Sequence, residues 1–243
     1  MASTSETGHA KNVANFQDLI TLVTAFGTAY NPAKAALKIP QLQALAMASN
    51  AKIADVVAKK TLYNNTVNDR MALFATLQPL STRLINALKV TDATAAKIDD
   101  AKAFNRKIQG KRASAIATSA DPASPPPSAI SVSQLSYDQL IQHFAGFLSL
   151  LQSEPTYAPN ETDLKTATLV AKQADMVLKN NTVTIAYAQV STSRIQRNKT
   201  LYDPNTGLVA TAAEVKNYVK SLFGPHSPEY AQISGIFFKS YWV

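Results

Sequence analysis

"AKIADVV" at residues 51–57 returns as "AKQADMV" at 171–177, with five identities in seven positions. Upstream, "FQDLITLVTAF" (16–26) pairs with "YDQLIQHFAGF" (137–147). The offsets are 120 and 121 residues, so one helical plan reads as used twice. "NNTV" also occurs twice, 116 residues apart, which places four extra residues, close to one helical turn, in the first copy. A "KTLY" pair (60–63 and 199–202) fits neither offset.

Between the copies lies "ASAIATSADPASPPPSAISVS" (113–133), rich in Ser, Ala and Pro. Three consecutive prolines cannot continue a helix, because each lacks an N–H and its ring clashes with the preceding turn. The segment reads as an extended connector. It separates a first helical bundle over 12–112 from a second over 134–243.

Each copy carries helical periodicity. Phe16, Leu19, Ile20, Val23, Phe26 and Tyr30 recur at the spacing of one buried stripe, as do Tyr137, Leu140, Ile141, Phe144, Phe147, Leu148 and Leu151. Breakers follow ("YNPAKAALKIP" and "SEPTYAPNET"), and then long helices over about 40–77 and 161–201. In the second long helix, Leu164, Ala171, Leu178, Ile185 and Thr192 recur every seven residues. Ala167, Ala174, Asn181, Ala188 and Ile195 stand three places later. Such a heptad seam of mostly small side chains expects a closely packed partner helix. Asn181 falls on it, and a polar side chain there fixes register through cross-helix hydrogen bonds. Asn64, Asn65, Asn180 and Asn181, from the two NNTV copies, are therefore read as register residues rather than a ligand site. Two shorter helices follow in each copy. The fold class expected is all-α: two pseudo-repeated antiparallel bundles of about four helices each.

"AFNRKIQGKRAS" (103–114) and the stretch from Tyr202 to Lys239 resemble recurring segments in an uncharacterised family of small all-helical proteins from Bacteroidota. The resemblance implies a helical fold and carries no activity or functional residue.

Composition narrows function more than it assigns it. The 243 residues contain no cysteine, which removes disulfides, thiolate metal sites and cysteine nucleophiles. Only seven glycines occur, and no phosphate-cradling motif, G-x-S-x-G elbow or H-E-x-x-H is present. His9, His143 and His226 show no metal-ligand spacing. No convergent catalytic set emerges, so the chain reads as non-enzymatic, with no cofactor and no metal. There is no basic-then-apolar leader and no apolar run of membrane-spanning length, so a cytoplasmic protein is expected.

The net charge of +8 lies entirely in residues 1–112, which hold 15 Lys and Arg against 7 Asp and Glu. Arg106, Lys107, Lys111 and Arg112 form its densest run, a candidate anion-binding patch or a basic helix end before Gly110. At the other end, Phe237, Phe238, Tyr241 and Trp242 are candidate interface anchors, or a terminus tucked against its own bundle. Three functions follow. The leading one is a helical structural or interaction protein, self-assembling or bound to another protein. The second is a binder of nucleic acid or acidic lipid through the basic half. The third is a membrane-active helical toxin.

Overall fold

The computed structural model describes residues 7–111 and 135–241. The connector at 113–133, Arg112 and Trp242 lie outside the described residues. Every regular element among the described residues is helical, and none is a strand. In chain order these are α1 (His9–Ala25), α2 (Ile39–Ala75), α3 (Leu77–Lys89), α4 (Ala95–Ile108), α5 (Tyr137–Gln152), α6 (Thr166–Tyr202), α7 (Leu208–Phe223) and α8 (Pro228–Ser234), with short 3-10 turns before α2 and α6.

Local chemistry sets several of the ends. Thr94, Ser136 and Ser227 each accept a hydrogen bond from the backbone three residues on, capping α4, α5 and α8. Gly110, at φ 68°, closes α4: its N–H donates to Lys107 O (3.1 Å), and Lys111 N–H donates to Arg106 O (2.9 Å). This pair of bonds is the Schellman closure.

The described residues fall into two compact units. One holds residues 7–63 and 186–241, the other 64–111 and 135–185. This division differs from the sequence expectation of one bundle either side of the connector. The boundaries fall inside α2, after Tyr63, and inside α6, after Ile185. Helix length explains it. At 37 residues, α2 and α6 are each about 55 Å long, whereas the 17 residues of α1 reach only about 25 Å. No short helix of the same half can cover a long one, so each unit draws short helices from both halves of the sequence.

In the first unit, α1 packs with α7 and α8 on a core that includes Phe16, Leu19, Val23, Leu42, Leu208 and Val215. The two long helices run antiparallel there. Lys52 Nζ donates to Gln196 Oε1 (2.9 Å), and Ser193 Oγ donates to Asp55 Oδ2 (2.5 Å). In the second unit, α3, α4 and α5 pack around Phe144, Phe147, Leu84, Leu88 and Met176. Asp69–Lys179 (3.1 Å) pairs α2 with α6, and Lys172 Nζ donates to Thr76, just beyond the end of α2 (2.7 Å), again in antiparallel sense. Gly146 lets α4 come close, since a Cβ there would stand 2.4 Å from Phe104 Cε1.

The two units share a device before each long helix. The buried Tyr30 hydroxyl donates to Leu37 O (2.8 Å) in the first, and the buried Tyr157 hydroxyl donates to Leu164 O (3.0 Å) in the second. Burial pushes both phenols up to about 12, helped by Tyr218 in one case and by Glu161 and Asp163 in the other. Each turn also carries an ion pair to a short helix, with the signs exchanged. Lys34 holds Glu214 in the first unit, while Asp163 is held by Arg83 in the second. Exposed pairs add little stability, because water screens them. The exchanged signs still discriminate: Lys34 against Arg83, or Asp163 against Glu214, would repel. The charges thus favour the observed partners over closure of each half on itself.

Candidate functional site

Helix α6 has two apolar faces. Leu169, Met176, Val183 and Val190, seven residues apart, are buried. Leu178 and Ile185, displaced by two residues, lie about 200° away around the helix, and Ile195, five residues beyond Val190, lies about 140° away. Those side chains are 62%, 59% and 66% exposed. Val170 and Val177 are exposed beside them, as are Ala167, Ala174, Asn181, Ala188 and Thr192. Leu164, the first residue of the seam that the sequence presents as a helix contact, is buried ahead of α6; from Ala167 to Ile185 that seam is turned outward, and a different stripe faces the core. Between Gln173 and Ser193 the helix carries only two charges, Asp175 and Lys179, and Lys179 is engaged by Asp69.

The four register asparagines separate. Asn180 joins three helices: it accepts from Arg70 Nη1 (2.9 Å) and donates to Asp138 Oδ1 (2.8 Å), while the Arg70 guanidinium lies 3.9 Å over the Tyr137 ring. Asn64, Asn65 and Asn181 are exposed. In the basic run, Arg106 is half-buried and Lys107 and Lys111 are exposed at the closed end of α4. Lys107 also reaches over the Phe104 ring (5.8 Å).

The aromatic tail is held by its own unit. Phe238 and Tyr241 pack against the first core, and Tyr241 meets His9 and Tyr202 edge-on at 5.4 and 5.8 Å between centroids. Phe237 is exposed. The signal for this docking was in α1: Asn12 and Asn15 interrupt an apolar row, and both are buried.

A concavity of about 860 Å3 lies in the second unit and is lined by Pro79, Leu80, Leu169, Thr76, Lys172 and Asp175. Burial lowers the Lys172 ammonium, with Asp175 opposing, and its Nζ donates to Thr76 Oγ1 (2.7 Å). Arg83 at the rim is taken by Asp163. Among the described residues, no cluster of three or more metal-ligating side chains occurs, and no helix is long and apolar enough to cross a membrane.

His143 is 7% exposed, and its Nε2 is buried with no hydrogen-bond partner. Burial and then Lys107 lower its pKa; burial and then Arg197 lower that of His9. With the folded pKa below the unfolded 6.5, the unfolded chain takes up protons first, so stability is complete above about pH 6.5 and falls as pH drops below it. We expect urea midpoints to decrease between pH 7.5 and 5. In His143→Leu, which removes the orphaned nitrogen, the decrease is shallower. An identical slope in that variant would exclude His143 as a source.

No family model, curated protein or solved structure matches this chain.

Proposed function

We propose that the protein is a non-enzymatic helical structural or interaction protein that self-assembles, with the outward seam of α6 as the contact between copies. The observation that carries this reading is the exposure of Leu178 and Ile185 on one heptad stripe of the second unit, with Val170 and Val177 exposed beside them. Large apolar side chains in a continuous exposed row mark interaction surfaces, whereas scattered ones do not. The low charge of this stretch suits a second copy. A chain of net charge +8 repels itself over much of its surface, and this stripe lets two copies approach without like-charge cost. An antiparallel pairing of this seam with its own copy is self-complementary, with Ala174 against Ile185 and Leu178 against Asn181.

Light scattering after size-exclusion chromatography tests this on wild type and on Leu178→Lys with Ile185→Lys. Wild type is expected to be a dimer or larger. The variant brings four lysines into one contact and weakens association about 100-fold or more. Its thermal stability changes little, because both positions are exposed. A wild-type monomer at every concentration removes the proposal.

We infer also that one helical plan is used twice, at an offset longer than the sequence identities suggest. Phe16, Leu19, Ile20 and Val23 are buried, and so are Phe144, Phe147, Leu148 and Leu151, each 128 residues on. The Tyr30–Leu37 and Tyr157–Leu164 bonds are 127 apart, as are the starts of α2 and α6. Buried Leu77, Leu84 and Leu88 of α3 correspond to Leu208, Val215 and Val219 of α7 at 131. The first of these offsets is seven residues, two helical turns, longer than the 121 of the matched segments.

A further inference from the structure

We propose that the surface between α1 and α7 is a groove for an extended peptide, occupied in cis by the chain's own C-terminal arm and accepting the arm of a second copy in exchange. It stands on different residues from the α6 contact.

The arm, residues 235–241, is non-helical and is bound through its backbone. Asn15 Nδ2 donates to Phe237 O (2.6 Å). Asn12 makes a two-way pair with Lys239, its Nδ2 donating to the carbonyl (2.7 Å) and its Oδ1 accepting from the N–H (3.1 Å). Lys216 Nζ donates to Ser234 O (3.1 Å) and to Ile236 O. None of these bonds reads a side chain. Selection comes from alternation, as in extended peptides bound by grooves. Ile236 and Phe238 pack inward, Phe237 and Lys239 face out, and Tyr241 turns in again against His9 and Tyr202.

The groove is built for an occupant. Asn12 and Asn15 are 3% and 7% exposed, and buried amides without partners are costly. Asn15 finds its partner in the arm, and Asn12 finds two of its three there. At the corresponding places of α5, 128 residues on, stand Leu140 and His143, so the amide pair belongs to the first unit alone. Nothing in the bonding requires the arm to come from the same chain. Gly235 joins it to α8 with open space around its α-carbon, the kind of short hinge through which identical elements exchange between copies. Cis occupancy prevails at low concentration, and exchange grows with it.

The test uses the full-length chain with its arm weakened, Phe238→Ser with Tyr241→Ser, and a fluorescein-labelled peptide of residues 234–243, read by anisotropy. The weakened chain should bind the peptide at least about tenfold more tightly than wild type does. Adding Asn12→Ala and Asn15→Ala should cost about tenfold or more, since two hydrogen-bonding side chains are lost. A scrambled peptide should not bind. Should the double variant lose its helical circular-dichroism signal, Tyr241→Ser alone is used with the same criteria. No binding by the folded variant, or binding indifferent to Asn12 and Asn15, overturns the proposal. The two contacts separate in one further comparison. Association by arm exchange survives Leu178→Lys with Ile185→Lys and is lost on weakening the arm, whereas the α6 contact behaves in the opposite way.

Discussion

Phe16→Ala and Phe144→Ala are each expected to cost about 3–5 kcal/mol of folding stability, the range for truncating a fully enclosed aromatic side chain. Neither ring has any exposed surface, and each sits at the centre of a different core. For a chain of this length that cost lowers the thermal midpoint by on the order of 10 °C. The comparison between the two variants carries more information than either magnitude. The boundary between the units passes through α2 and α6, and a helix is cooperative along its length. Losing one core frays both long helices and withdraws from the other unit the segments that its own core requires. Calorimetry should therefore show one transition in wild type, and both variants should move that same transition. Two resolved transitions, with Phe144→Ala shifting only one, would mean that the units unfold separately and would defeat this expectation.

Much of the helical plan was legible because bulky residues mark it. Phe16, Leu19, Ile20 and Val23 leave little choice about the inward face of α1, and Gly110 announces the end of α4. The inward face of α6 was not legible. The helix carries Leu169, Met176, Val183 and Val190 on one stripe and Leu178 and Ile185 on another, and periodicity cannot rank two apolar stripes. Only the surrounding helices, which are long-range contacts, decide which stripe is buried. The register between the two halves is open for a related reason. A pattern that repeats every seven residues matches itself almost as well after a shift of seven: buried Val56 meets buried Met176 in the alignment of "AKIADVV" with "AKQADMV", and buried Val183 seven residues further on. The composition of each unit was hidden too. Lys34 and Glu214, or Arg83 and Asp163, look like scattered surface charges until the turn and helix that carry them are known to meet. The docking of the arm lay within reach, since two amides in the apolar row of α1 ask for a polar partner, although nothing nearby in sequence says which.

Gly207→Ala is expected to cost about 2–3 kcal/mol, by overpacking rather than by strained dihedrals. Gly207 sits at φ −70° and ψ 158°, a conformation open to any residue, so its glycine is not there for a left-handed backbone as Gly27 is at φ 59°. The reason is space. A Cβ at 207 would stand 2.5 Å from Asp203 N and 2.6 Å from Asp203 O. Those are backbone atoms of a turn that cannot easily yield. Asp203 Oδ1 accepts from Asn205 N (3.0 Å), Thr206 N (2.9 Å) and Thr206 Oγ1 (3.0 Å). Gly207 N–H in turn donates to Asp203 O (2.9 Å), and Gly207 O accepts the first bond of α7 from Thr211 N (2.9 Å). Relieving the clash means opening the turn between α6 and α7 and disturbing the start of a helix whose first residue, Leu208, is fully buried. Gly146→Ala is the matched control. Its Cβ meets an equally close neighbour, but that neighbour is the half-buried Phe104 ring, which can pivot, and alanine gains about 1 kcal/mol over glycine inside a helix. The net effect at 146 should then fall well below that at 207. Urea unfolding of both variants decides the matter: equal losses, or a Gly207→Ala chain as stable as wild type, would show that the Asp203 turn is compliant and that its hydrogen bonds do not hold α7 in place.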